Sequence, residues 1–167
     1  MMKRLQHPAL VIPLWASVAA ILIVAHPSPI ALLGVALWPV VEYVAHRWFM
    51  HGIERTRPAL YKRVHGVHHL YPRDRSHFTI PLAVTVPIVA LLAAIPAALG
   101  AWSTAAPVLG GLLAAYALYD LAHLAAHGLA PFPFRRVLAR YHARHHRDAT
   151  RAFGVTSPIV DALMGTQ

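Results

Sequence analysis

Residues 141–146 read Tyr-His-Ala-Arg-His-His, which sets His142, His145 and His146 at i, i+3 and i+4. On a helix those positions share one face. Ordinary packing has no use for three neighbouring imidazoles, but a metal ion does: neutral imidazole is a ligand for zinc, copper, iron and nickel. The same spacing occurs at His65, His68 and His69. Two pairs accompany the triplets, His46 with His51 and His123 with His127. The ten histidines form two matched sets, each a pair followed by a triplet. His7, His26 and His77 stand apart and are read as surface or hydrogen-bonded side chains.

Ten imidazoles exceed the needs of one ion. A structural zinc site is closed by four ligands. Two metals with about five imidazoles each, leaving positions open, fit the count better, and open nitrogen-rich sites that tend to octahedral suit iron and oxygen activation. The chain has no cysteine, so thiolate sites are excluded and any metal must use N and O ligands. Glu42 lies one turn before His46, and Asp120 one turn before His123. A carboxylate in an apolar helix should face the interior with a partner. The expected partner is the distal N–H of a metal-bound histidine, and Tyr116 extends the Asp120 stripe by one more turn. His46 and His51 are five apart, about 140° around an α-helix, so they converge on one site only if the helix loosens there.

The elements that must position these side chains are apolar. Of 167 residues, 57% are apolar and 13% charged, with fifteen Lys and Arg against six Asp and Glu. Residues 1–167 are read as one membrane domain of four spans: 8–25, 29–46 running on towards His51, 79–100 and 107–127. Residues 26–29 and 100–106 would be the turns, Pro81, Pro87 and Pro96 would kink the third span, and the segments 52–75 and 131–167 are polar and basic. The apolar run after the basic start has no small-residue cleavage site, so it is read as an uncleaved helix rather than a signal peptide. With the N-terminus cytoplasmic, every Lys and Arg and all ten clustered histidines fall on the cytoplasmic side, as the positive-inside rule expects. The expected architecture is therefore all-α: four transmembrane helices in two hairpins with a cytoplasmic histidine-rich helical cap. The basic balance is assigned to lipid headgroups, not nucleic acid, because it lies beside the apolar runs. Thirteen arginines against two lysines, with abundant alanine, suggest a GC-rich bacterial genome and an inner-membrane location.

The histidine text "HRWFMH", "HGVHH", "HLAAH" and "HARHH" resembles, in order, the fatty acid hydroxylase superfamily, the membrane di-iron group that also holds sterol desaturases and carotenoid hydroxylases. "VHGVHHLYPRDRSHFTIP", "YDLAHLAAHG" and the closing "YHARHHRDATRAFGVTSPIVDALMGT" extend the resemblance over residues 38–166. It implies a non-haem di-iron monooxygenase that hydroxylates a membrane lipid chain with O2. The implied metal ligands are His46, His51, His65, His68, His69, His123, His127, His142, His145 and His146, with zinc as a possible substituted metal. The length leaves no room for a fused haem domain, so a separate donor is expected, a ferredoxin or cytochrome type with its reductase. Only 13 residues separate His51 from His65, which leans towards carotenoid hydroxylases, whereas the short link from His146 to "FGVTSP" is as in fatty acid hydroxylases. Val160 stands where an aromatic is common before the Asp, here Asp161. A carotenoid hydroxylase or a sterol desaturase-type enzyme stays open, as does a membrane metal-binding or transport protein, although a transporter should hold its ligands near the bilayer midplane.

Overall fold

The computed structural model describes residues 6–167, and every regular element among them is helical. The basic start at Lys3 and Arg4 lies outside the described residues. Helix α1 (Pro8–Ala25) opens with proline, whose missing N–H costs nothing in a first turn, and His7 caps it by accepting from the Ala9 amide at 3.2 Å. Helix α2 (Ala31–Val44) passes without a break into a π-helical stretch, Ala45–His51. Short pieces follow: α3 (Pro58–Tyr61), a π turn (Lys62–Gly66) and α4 (Val67–Leu70). Helix α5 (Leu82–Ala98) begins after Pro81 and ends where Gly100 adopts φ +70, a conformation that costs glycine little. Helix α6 (Trp102–Ala126), α7 (Arg135–Arg147) and α8 (Ile159–Met164) complete the chain.

Helix α6 is the axis of the molecule. Its Leu109, Leu113 and Tyr116 pack on Val11, Trp15 and Ala19 of α1, with Val155 of the closing segment in the same core. Helix α2 meets α6 backbone to backbone. A Cβ on Gly34 would fall 2.1 Å from the Val108 carbonyl oxygen, and one on Gly111 would fall 2.0 Å from that of Ala31. Small residues at a crossing let helices approach where no hydrophobic force distinguishes lipid from protein. The close contact carries the end of α2, with His46, to the end of α6, with His123.

Among the described residues, three helical stretches are long and apolar enough to cross a membrane: Pro8–Ala25, Arg75–Ala98 and Trp102–Ala126. Val24, Leu32, Leu91 and Leu99 point outward, as a hydrocarbon environment permits. The chain is a membrane protein on this evidence of length and apolarity. The second span expected from sequence, 29–46, is not among the three, because its α-helical part stops at Val44 and the rest is π-helix. The last long helix also starts five residues earlier than Pro107. The amides of Thr104 and Ala105 bond to the Ala101 carbonyl at 3.2 and 3.0 Å, closing a turn ahead of the proline, which then removes a single ladder bond.

Candidate metal centre

The π-helical stretch at Ala45–His51 resolves the geometry of the first pair. A π-helix bonds i to i+5, so His46 and His51 stack on one face, where an α-helix would have splayed them. In the triplets the rings of His65 and His69, and of His142 and His146, are four apart and turn the same way, with Nε2 atoms 2.9 and 3.0 Å from each other. The helix ends bring all ten rings into two groups. His46, His51, His65, His69 and His145 form the first, and His68, His123, His127, His142 and His146 the second; within each group the candidate ligand atoms lie within 4.8 Å of one another. The middle histidine of each triplet crosses over. His68 leaves its own triplet for the second group, and His145 leaves its own for the first.

Hydrogen bonding cannot account for these contacts. His142 Nε2 lies 2.9 Å from His123 Nε2, 2.9 Å from His127 Nε2 and 3.0 Å from His146 Nε2. One imidazole nitrogen carries either a proton or a lone pair and cannot serve three partners. Both ring nitrogens of His68 are buried without a partner among the described residues. In the first group the Nε2 contacts run His46–His65 at 3.0 Å, His65–His69 at 2.9 Å, His69–His145 at 3.2 Å and His145–His51 at 3.0 Å. Converging lone pairs fit a cation. Two nitrogens at about 2.0–2.1 Å from one ion lie about 3 Å apart at right angles and about 3.4 Å apart at the tetrahedral angle. The observed spacings match the right-angled case.

Ring positions show the same arrangement twice. The ring centre of His51 stands 4.8–5.2 Å from those of His46, His65, His69 and His145, whereas His65 and His145 are 6.2 Å apart. The ring centre of His127 stands 4.7–5.0 Å from those of His68, His123, His142 and His146, whereas His68 and His142 are 6.2 Å apart. In each group the second histidine of a pair therefore adjoins all four others, as an apex adjoins its base.

Burial favours the neutral form of the rings outside the spans: it pushes His146 down to about 4, with the neighbouring His145 adding to the effect, and it lowers His65, His68 and His145 as well. The ordinary value is 6.5, so in metal-free protein the unfolded chain takes up protons at a higher pH than the folded one. Stability from these groups is present above about pH 6.5 and is lost as pH falls through that value towards about 4. Thermal unfolding of chelator-stripped protein is expected to shift downward between pH 7 and pH 5 and to stay level from pH 7 to pH 8. A midpoint that does not move on acidification would contradict the burial of neutral imidazoles.

One of the two carboxylates, Glu42, is not bonded where the sequence placed it. Glu42 accepts from the amides of Val155 and Thr156 and from the Thr156 hydroxyl, and among the described residues makes no hydrogen bond to a histidine. Asp120 is buried, and its Oδ2 has no partner among the described residues. The His123 ring turns instead to His142 and packs against Phe78 with centres 4.5 Å apart. Helical periodicity put Glu42 below His46, but the His46 Nδ1 turns to the Phe153 carbonyl. The acceptors that orient histidines are backbone carbonyls: His46 Nδ1–H donates to Phe153 O at 2.5 Å and His145 Nδ1–H to Arg151 O at 2.7 Å. Sequence reasoning missed these two carbonyls and Phe78. The resemblance of the closing segment was the one signal near the carbonyls. His77 donates to Asp74 at 3.1 Å, outside both groups.

Comparison with known proteins gives the arrangement a context. The family model described as "Fatty acid hydroxylase" matches residues 31–166. The dihydroceramide fatty acyl 2-hydroxylase FAH1 of Arabidopsis thaliana is 32% identical over 142 residues, 83% of this chain and 60% of that protein. The ceramide very long chain fatty acid hydroxylase SCS7 of Saccharomyces cerevisiae is 32% identical over 141 residues, 80% of this chain and 36% of that protein. The solved structure of full-length scs7p, in which only the hydroxylase domain is visible, superposes with a TM-score of 0.78 at 27% identity, covering 95% of this chain and 64% of that one. This chain thus spans less than two thirds of these relatives.

Proposed function

Because the chain belongs to the fatty acid hydroxylase family, we propose that it is a membrane monooxygenase that uses O2 to hydroxylate a fatty acyl chain, with two iron ions as its metals. The observation that carries the reading is the pair of five-histidine groups with Nε2 spacings near 3 Å. His46, His51, His65, His69 and His145 would hold one ion, and His68, His123, His127, His142 and His146 the other. Bound iron would supply the one-electron and O2 chemistry that side chains lack. The balance is one C–H bond, O2, two electrons and two protons giving one C–OH and water. The chain contributes ten converging imidazoles, six buried and four half-buried, two of them held by backbone carbonyls. Asp120 remains a candidate to orient His123 or His142, whose Nδ1 is also buried without a partner among the described residues. The electrons would come from a separate ferredoxin- or cytochrome-type donor.

The relatives act on fatty acyl chains, as their names state, and this chain is read the same way. Residues 1–167 are taken as one domain. Expression in a lipid-producing host, followed by mass spectrometry, tests the activity. The expected result is a lipid one oxygen atom heavier that appears only with O2 and carries label from isotopic O2. A product short of two hydrogens would assign desaturation, and no O2-dependent product would remove the enzyme reading.

The same reading gives four spans, α1, α2 with its π-helical extension, α5 and α6, with both termini and the histidine groups on the cytoplasmic side, in a bacterial inner membrane. The one-sided distribution of Lys and Arg supports it. Reporters fused after Gln167 and within residues 100–106 are expected on opposite sides of the membrane, the first cytoplasmic. Both on one side would refute the four-span arrangement.

A further inference from the structure

The two groups differ in one respect that concerns residues outside them. In the first, His46 and His145 each donate Nδ1–H to a backbone carbonyl, Phe153 O and Arg151 O. In the second, no histidine makes such a bond among the described residues; there the Nδ1 atoms of His68 and His142, like that of His51 in the first, are buried without partners. A carbonyl accepts only, so the bond fixes the proton on Nδ1 and directs the Nε2 lone pair inward. Both carbonyls belong to one irregular segment, 151–156. Between them Ala152 sits at φ +51, a left-handed conformation that side chains other than glycine resist. Such a conformation persists only where its surroundings hold it.

Two carboxylates hold it. Asp161 accepts from the amides of Phe153 at 2.9 Å and Gly154 at 2.7 Å and from the Thr166 hydroxyl at 2.7 Å. Glu42 takes the next two amides, Val155 and Thr156. Four consecutive N–H groups are thus claimed by two buried acids, and the Ala152 amide donates to Thr166 O at 2.6 Å. The fit around Asp161 is tight: a Cβ on Gly154 would lie 3.1 Å from its Oδ2 and 2.0 Å from the Ser157 carbonyl oxygen. Glu42 stands one turn before His46, so the segment is tied to the helix whose histidine it orients.

We propose that Asp161 and Glu42 are positioning residues for one metal site alone, that of His46, His51, His65, His69 and His145, acting through the carbonyls of Arg151 and Phe153. The proposal rests on the metal reading above. Asp161→Asn replaces one acceptor oxygen by a donor facing an amide. Its expected effect is a loss of about 10–100-fold in metal retention, the range for outer-shell partners, confined to the first site.

The test isolates each site. His127→Ala weakens the second group and leaves the first; His51→Ala does the reverse. Metal per chain after dialysis against a competing chelator, and the visible spectrum of the cobalt-loaded protein, are read with and without Asp161→Asn. In the His127→Ala background Asp161→Asn is expected to strip the metal and change the cobalt spectrum. In the His51→Ala background both readouts should stay as they were. Equal loss in the two backgrounds, or none in either, overturns the proposal. If Asp161→Asn is not recovered folded, Thr166→Val, which removes one bond to Asp161, decides by the same site bias. Wild-type protein without bound metal would fail the reading beneath the proposal, a result seen before any variant is made.

Discussion

Protein purified from a foreign host is expected to carry zinc, two ions per chain, and to hydroxylate nothing until ferrous iron replaces it. Affinity and chemistry pull in opposite directions here. By the Irving–Williams order an imidazole site binds zinc more tightly than ferrous iron. Zinc has no redox chemistry and cannot activate O2. The zinc form should nonetheless be folded, because its long apolar helices, not the ions, drive insertion. Stripping the metal and restoring ferrous iron under reducing conditions should raise O2-dependent product from background to its full level. Metal content and product measured on the same samples decide the matter. Full turnover with zinc alone would sink the di-iron oxygenase reading.

The next largest effect concerns the crossed histidines. His145→Ala is expected to empty the site shared with His46, His51, His65 and His69, although its own triplet mates His142 and His146 serve the other group. His68→Ala should do the converse. Each variant should retain about one ion instead of two and lose activity to background while still inserting in the membrane. The assignment follows from paired variants. Adding His51→Ala to His145→Ala should cost no further metal, since both remove ligands from one group. Adding His127→Ala should remove what remains. The opposite pattern would show that each triplet serves as a unit and would refute the crossing.

The crossing also marks where sequence reasoning stops. His142 and His146 are four apart, and helical periodicity alone puts them on one face, as it does His65 and His69. The chain of apolar runs with basic segments between them was equally legible, because local composition decides which stretches are helical and apolar. That His145 joins His46 and His51 was not legible, since the partners lie 94 and 99 positions away and meet where α2, α6 and α7 pack together. The sequence left the His46–His51 pair dependent on a loosened helix, and the π-helical turn provides it. Periodicity misdirected the reading at Glu42. It lies one turn from His46, yet its carboxylate serves amides more than a hundred residues further on. Spacing along a helix is a property of the backbone and needs no partner. Which histidine shares a site with which, and which amide a carboxylate finds, depends on where the chain returns, and only the packed helices decide that.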